Sequence, residues 1–121
     1  MTIQYLLDEH IASLYRTQLM RQAPELIVRR IGDPGAPPKG TLDPEILIWC
    51  EIHNFILVTN NRKSMPKHLA DHLAESRHVP GIFVIDPSNN IGETLAELII
   101  IAGASFPKEY QDRIEYLPLS E

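Results

Sequence analysis

The stretch Ile3-Gln4-Tyr5-Leu6-Leu7-Asp8-Glu9-His10 constrains the fold more than any other. An apolar run of strand length stops abruptly at two carboxylates. Ile11, Leu14, Tyr15 and Leu19 then recur at helical spacing. A buried strand that passes at once into a helix fits an open parallel sheet. In such a sheet ligands collect outside the carboxyl ends of the strands, so Asp8 and Glu9 are expected at that edge.

The same alternation continues along the chain. After the break at Pro24, Glu25-Leu26-Ile27-Val28-Arg29 reads as a short second strand. Prolines and glycines are too dense from Ile31 to Gly40 for a helix or an inner strand. Asp43-Pro44-Glu45 then opens a helix to about His53, with Asp43 suited to the N-cap and Pro44 to the first helical position. Ile46-Leu47-Ile48-Trp49-Cys50 is apolar nearly all round, which predicts burial on more than one side, in the core or against a partner subunit. Phe55 to Thr59 is the third strand, with Asn60-Asn61-Arg62-Lys63 as its polar exit. Ser64 is placed to cap the next helix, Pro66 falls in its first turn, and Leu69 and Leu73 give it an apolar stripe. Gly81 to Ile85 is the fourth strand. Asn90 and Glu93 are spaced as a capping pair for a last helix that Gly103 can stop. Arg113 to Leu117 reads as an edge strand. Strands alternating with helices predict a three-layer α/β/α sandwich with a mostly parallel sheet of four to five strands, wound by right-handed crossovers.

At 121 residues the chain is the size of one domain, so residues 1–121 are expected to form a single unit. With 44% apolar residues it can build a core. A formal net charge of −5 argues against a general nucleic-acid coat, though not against a local basic groove beside an acidic site. No apolar run reaches membrane-spanning length, and Met1-Thr2-Ile3-Gln4 lacks the basic and apolar regions of a secretory leader. One cysteine, Cys50, cannot form an internal disulfide, which fits a reducing cytoplasm.

A hard divalent cation such as Mg²⁺ or Mn²⁺ needs oxygen ligands converging from different elements. The candidates are Asp8 and Glu9 after the first strand, Asp43 and Glu45 at a helix start, and Asn60 and Asn61 after the third strand. If the first and third strands are neighbours, Asp8 and Asn61 face one crevice. Two carboxylates and an amide oxygen could then hold a water-rich cation, which would generate hydroxide and polarise a phosphodiester. The simpler reading of Asp43 is an N-cap, and Glu45 suits a first turn through the helix dipole alone. Arg62, Lys63 and Lys67, with Lys39 from the loop, are candidates to bind phosphate oxygens; a solvated charged face is the plain alternative. His68 and His72 have the i, i+4 spacing of a zinc pair but lack an evident third ligand. Cys50, in an apolar helix, reads as a buried inert thiol. His10, His53 and His78 read as structural or exposed.

Taken in order, Leu6-Leu7-Asp8-Glu9, Asp43-Pro44-Glu45-Ile46-Leu47, Ile56-Leu57-Val58-Thr59 with its polar exit, and Pro80-Gly81-Ile82 resemble the short PIN-like domains of bacteria, relatives of the VapC-type toxins of toxin–antitoxin pairs. The resemblance spans nearly the whole chain and rests on the order and spacing of short motifs. It implies a PIN-like fold and a Mg²⁺- or Mn²⁺-dependent endoribonuclease, with RNA as substrate and an antitoxin-like protein as partner. Asp8 matches the family's first acid, and Asp43 or Glu45 its helix-borne acid. The family usually continues its third strand with Thr-x-Asp-x-Asp, where this chain has Asn61 and Lys63. An amide is a weaker ligand than a carboxylate, and a charged lysine is none. A second reading follows: a catalytically degenerate module that binds RNA or a protein partner without cleavage. The apolar residues at 46–50 and 99–101 predict a homodimer.

Overall fold

Successive residues of a strand face opposite sides of a sheet, so a strand covered by helices on both sides is apolar throughout. In the computed structural model, which describes residues 3–106 and 108–118, this holds for β4 (Ile82–Ile85) and, apart from the polar residue that begins the one and ends the other, for β1 (Gln4–Leu7) and β3 (Ile56–Thr59). With β2 (Ile27–Arg30) and β5 (Ile114–Leu117) on the edges they form one sheet in the order β2-β1-β3-β4-β5, every neighbouring pair parallel. The helices are α1 (Ser13–Gln22), α2 (Asp43–His53), α3 (Met65–Ala74) and α4 (Ile91–Ala104).

Alternation sorts the core into two sets. Tyr5, Leu7, Ile56, Val58, Phe83 and Ile85 face α1 and α4, meeting Tyr15, Leu19, Leu95, Leu98 and Ile101. Leu6, Leu57, Ile82 and Val84 face α2 and α3, meeting Ile46, Leu47, Cys50, Met65 and Leu69. The result is an α/β/α sandwich. The Tyr5 phenol, pushed up by burial and by Tyr110, stays protonated and donates to the Leu98 carbonyl at 2.7 Å, tying β1 to α4. Burial likewise pushes the Cys50 thiol up, as an inert core thiol requires.

One connection departs from the expected winding. The steps from β3 to β4 and from β4 to β5 run in the same direction across the sheet, yet α3 and α4 lie on opposite faces. The first three crossovers therefore share one hand and the last has the other, against the strong right-handed preference. Coverage explains it. The face of Leu6 and Leu57 already has two helices, whereas the face of Tyr5 and Phe83 has only α1 until α4 arrives.

Several boundaries differ from the sequence expectation. The second strand begins at Ile27 rather than Glu25. Leu42, not Asp43, is the N-cap of α2, and Asp43 is already helical. Ser64 stands at the N-cap of α3 without a capping side-chain bond; its hydroxyl turns back to Asn61 instead. The buried stripe of α3 is Met65, Leu69 and His72, with Leu73 at 36% exposure. Asn90 does cap α4, accepting from the N–H groups of Gly92 and Glu93, but the helix continues through Gly103 to Ala104. Among the described residues no helix is long and apolar enough to cross a membrane.

Beneath the amino-terminal edge of the sheet, a polar belt ties α2, α3 and the approaches to β4 and β5. The buried His72 ring donates from Nε2 to the His78 carbonyl at 3.1 Å, and Glu51 Oε1 lies 3.1 Å from the same nitrogen. Glu51 also accepts from Arg77 and from the His78 N–H, each at 3.3 Å. Asp112 accepts from His78 Nδ1 at 2.6 Å and from the Val79 N–H at 2.9 Å. Desolvation pushes the Glu51 carboxyl up, but the His78 N–H, Arg77 and His72 outweigh it and hold it below the usual range. Desolvation also pushes Asp112 up, and the His78 ring and the Val79 N–H outweigh it in the same way. With folded values below the unfolded ones, the unfolded chain takes up protons first as pH falls. The charge contribution is therefore complete above the unfolded carboxylate values, near about 4, and is lost as pH drops through the folded ones. Glu51→Gln and Asp112→Asn should thus melt below the natural chain at neutral pH, with the gap closing in acid. A gap that stays constant across the acid range, in melting curves taken from pH 7 to 3, would mean that charge plays no part.

Candidate functional site

The order β2-β1-β3 places a topological switch point between β1 and β3, where a crevice opens at the carboxyl edge. About 440 Å³ in volume, it is lined by Asp8, Glu9, His10, Thr41, Asp43, Asn60 and Asn61. The neighbour relation required by the sequence argument holds, with Leu7 paired to Val58.

Asp8 is 7% exposed, and its N–H still extends the ladder to the Val58 carbonyl at 2.9 Å. A carboxylate this deep needs donors, and it has two: Oδ2 accepts from the Thr59 hydroxyl at 2.9 Å and Oδ1 from the Glu9 N–H at 2.7 Å. Thr59 Oγ1 in turn accepts from the Asn61 N–H at 3.1 Å, so the ends of β1 and β3 are stitched through one hydroxyl. Arg30 fixes the turn after Asp8 by donating to the carbonyls of Glu9 (3.0 Å) and Ile11 (2.9 Å). Glu9 reaches the proline-rich loop and accepts from the Gly40 N–H at 2.9 Å.

Asp43, released from capping, projects into the crevice from the first turn of α2, where the helix dipole favours its charge. Its Oδ2 accepts from Asn61 Nδ2 at 2.9 Å. The orientation of that amide follows from its other end. Asn61 Oδ1 lies 3.2 Å from the backbone N of Ser64, which can only donate, and 3.2 Å from Ser64 Oγ. The amide oxygen is thus committed to Ser64 and the –NH₂ group faces Asp43. His68 Nε2 stands 3.6 Å from the same Asp43 oxygen, beyond hydrogen-bond length.

The remaining sequence candidates lie outside the crevice lining. Glu45 is exposed on α2. The Arg62 guanidinium lies 5.2 Å over the Tyr116 ring. Lys67 pairs with Asp71 at 3.1 Å on the exposed side of α3, and Lys63 is exposed. The Lys39 stem lies along Gly32, where its Cγ would be 3.1 Å from an added Cβ. His68 and His72 do not act as a pair: one faces Asp43, the other Glu51. His68 is the neighbour of Asp43 that sequence reasoning did not place; its only signal was its position one turn into the helix after the third strand.

The donor set does not fit the cation expected for it. Asp8, Glu9 and Asp43 line the crevice, but Glu9 is engaged by the Gly40 N–H and Asn61 turns an –NH₂ group toward Asp43, where a metal needs an oxygen. Among the described residues no group of three or more His, Cys, Asp or Glu side chains is placed to hold a metal ion.

Comparison of the chain with protein-family models, with curated proteins and with solved structures finds no match in any of the three.

Proposed function

We propose that the chain is a PIN-like domain that has kept the fold and the crevice of a metal-dependent nuclease but binds a partner there without cutting it. The observation that carries this reading is the Asn61 amide. Locked by Ser64, it supplies Asp43 with the hydrogen-bond donor that a cation would otherwise replace. The crevice is acidic, with Asp8, Glu9 and Asp43 in its lining, while Arg62 lies on Tyr116 and Lys67 is paired with Asp71. That charge distribution favours a basic protein segment over an RNA phosphate chain as the occupant. A cytoplasmic setting agrees with a single free, buried cysteine.

The second reading is an active Mg²⁺- or Mn²⁺-dependent endoribonuclease, the toxin component of a toxin–antitoxin pair. It is favoured by the convergence of Asp8 and Asp43, the latter not spent on capping. Incubation of the natural chain and of Asp8→Ala with a mixed set of RNAs and Mn²⁺ separates the two. The first reading expects no cleavage by either protein beyond a no-protein control. Cleavage by the natural chain that is lost in Asp8→Ala overturns it in favour of the nuclease.

A further inference from the structure

A second cavity opens at the amino-terminal edge of the sheet, the edge opposite the crevice. Its volume is about 240 Å³. The floor is Ile56, at the start of β3, with Val79 and Pro80 ahead of β4. One wall is the last turn of α2, with Glu51. The other is Glu109 and Tyr110, in the connection from α4 to β5.

The backbone fixes these walls in advance. Gly81 lets the connection lie close beneath the sheet: a Cβ added there would stand 3.0 Å from Tyr110 Cβ and 3.1 Å from the Tyr110 carbonyl oxygen. The Asp112 N–H donates to the Val79 carbonyl at 2.9 Å, and the Val79 N–H donates back to Asp112 Oδ1 at 2.9 Å. The Phe83 ring meets Tyr110 edge-on and holds it in place. A cavity anchored in this way is pre-formed, as small-molecule sites usually are.

The polar atoms around it are mostly acceptors. Gln4 commits Nε2 to the Asn54 carbonyl at 2.9 Å, which leaves its Oε1 as an acceptor. His78 Nδ1 lies 2.6 Å from the Asp112 carboxylate, which accepts, so the proton sits on Nδ1 and the neutral ring keeps a lone pair at Nε2. Glu109 gives Oε1 to the Phe106 N–H at 3.0 Å, and among the described residues its Oε2 has no hydrogen-bond partner. Glu51 adds a second carboxylate, against which the lining sets the single lysine Lys108.

Such a site calls for an apolar body that carries donors and positive charge. A primary ammonium has three donors and no acceptor. A carboxylate in its place would meet two like charges. The volume sets the size. A cavity of about 150 Å³ takes benzene. One of about 240 Å³ takes a single ring with a short arm and is too small for a stretch of polypeptide.

We infer that this cavity binds a small, free, apolar primary amine, with its body on Ile56, Val79 and Tyr110 and its ammonium toward Glu51 and Glu109. The site lies apart from the crevice between β1 and β3 and does not depend on what that crevice binds.

Amide NMR of the isotope-labelled full chain at neutral pH tests it, with phenethylamine, phenethyl alcohol and hydrocinnamate as probes of one size and three charges. Phenethylamine should move the amides of Val79, Gly81, Tyr110 and Gln111, and should bind at least tenfold tighter than the alcohol or the acid. Glu109→Gln keeps an oxygen for the Phe106 N–H and removes the charge. It should weaken the amine at least fivefold and leave the alcohol unchanged, and its spectrum shows whether it is folded. The comparison of the three probes on the natural chain decides without that variant. No amide shift with millimolar phenethylamine overturns the inference. So do shifts confined to Asp8, Asn61 and their neighbours, equal affinity for the alcohol or the acid, or an affinity for the amine that a folded Glu109→Gln leaves intact.

Discussion

Asn61→Asp is expected to melt lower than the natural chain in metal-free buffer and to regain that stability, with more besides, when Mn²⁺ is added. The substitution keeps the oxygen that serves Ser64 and replaces the –NH₂ group with a second oxygen, about where Nδ2 now sits 2.9 Å from Asp43 Oδ2. Two carboxylate oxygens at that separation cannot both stay charged without a counter-ion. Losing the bond and gaining a half-buried like-charge contact should cost about 1–3 kcal/mol. A divalent cation reverses the sign of the problem. It would find the new carboxylate beside Asp8 and Asp43, with Glu9 also in the crevice lining. Saturation at a hundred times the dissociation constant stabilises by about 2.7 kcal/mol. For a chain of this size that is a rise of roughly ten degrees. The natural chain should move little under the same titration. A large Mn²⁺ shift in the natural chain, with none added by Asn61→Asp, would mean that Asn61 is not what keeps the cation out.

Phe83→Ala should be the most damaging of the simple core substitutions. Phe83 is fully buried on β4, with its ring 5.9 Å from that of Tyr5 and edge-on to Tyr110 at 5.1 Å. Removing an aromatic side chain from such a site costs about 3–5 kcal/mol, the transfer term plus the cavity. Domains of this kind have about 5–15 kcal/mol in all. The loss also strips packing from Tyr110, which lies in the connection from α4 to β5. Urea unfolding should show the midpoint fall by about a fifth or more with the slope unchanged. A drop below about 1 kcal/mol would mean that the neighbours collapse into the space, contrary to the packing described.

The layers were legible because they depend on local pattern. Apolar runs of four or five residues, each followed by a polar exit and a helical period, leave few arrangements. The condition that brought Asp8 and Asn61 together, adjacency of β1 and β3, is what the sheet order supplies. What was not legible depends on contacts between distant segments. Asp43-Pro44-Glu45 carries a strong local capping signal, and a one-residue shift of the cap to Leu42 turned the aspartate from a structural into a site residue. Asn61 could be placed at the crevice but not oriented, because its orientation is decided by the Ser64 N–H. The histidines of α3 share a helix face by spacing, yet the acids that claim them stand at opposite ends of α2. The apolar run at 46–50 hid a division, since Ile46, Leu47 and Cys50 fill the core while Ile48 and Trp49 are only half-buried. The opposite hand of the last crossover could not be read at all, because it is set by which face still lacked a helix.

That reversed crossover makes the last quarter of the chain a strap. From the top of β4 it passes over one face as α4, under the lower edge by way of Tyr110 and Asp112, and up the far side as β5. A strap can be fastened only to something already assembled. Its anchors are Tyr5, which reaches the Leu98 carbonyl across 93 residues, and Phe83, so the contacts that hold α4 are complete only with β1 and β4 in place on either side of β3. On a ribosome, the sheet would therefore emerge with α2 and α3 able to shield one side while the other stays half bare until Ile101 is clear of the tunnel. The residues that complete the sheet are also those that fasten it shut.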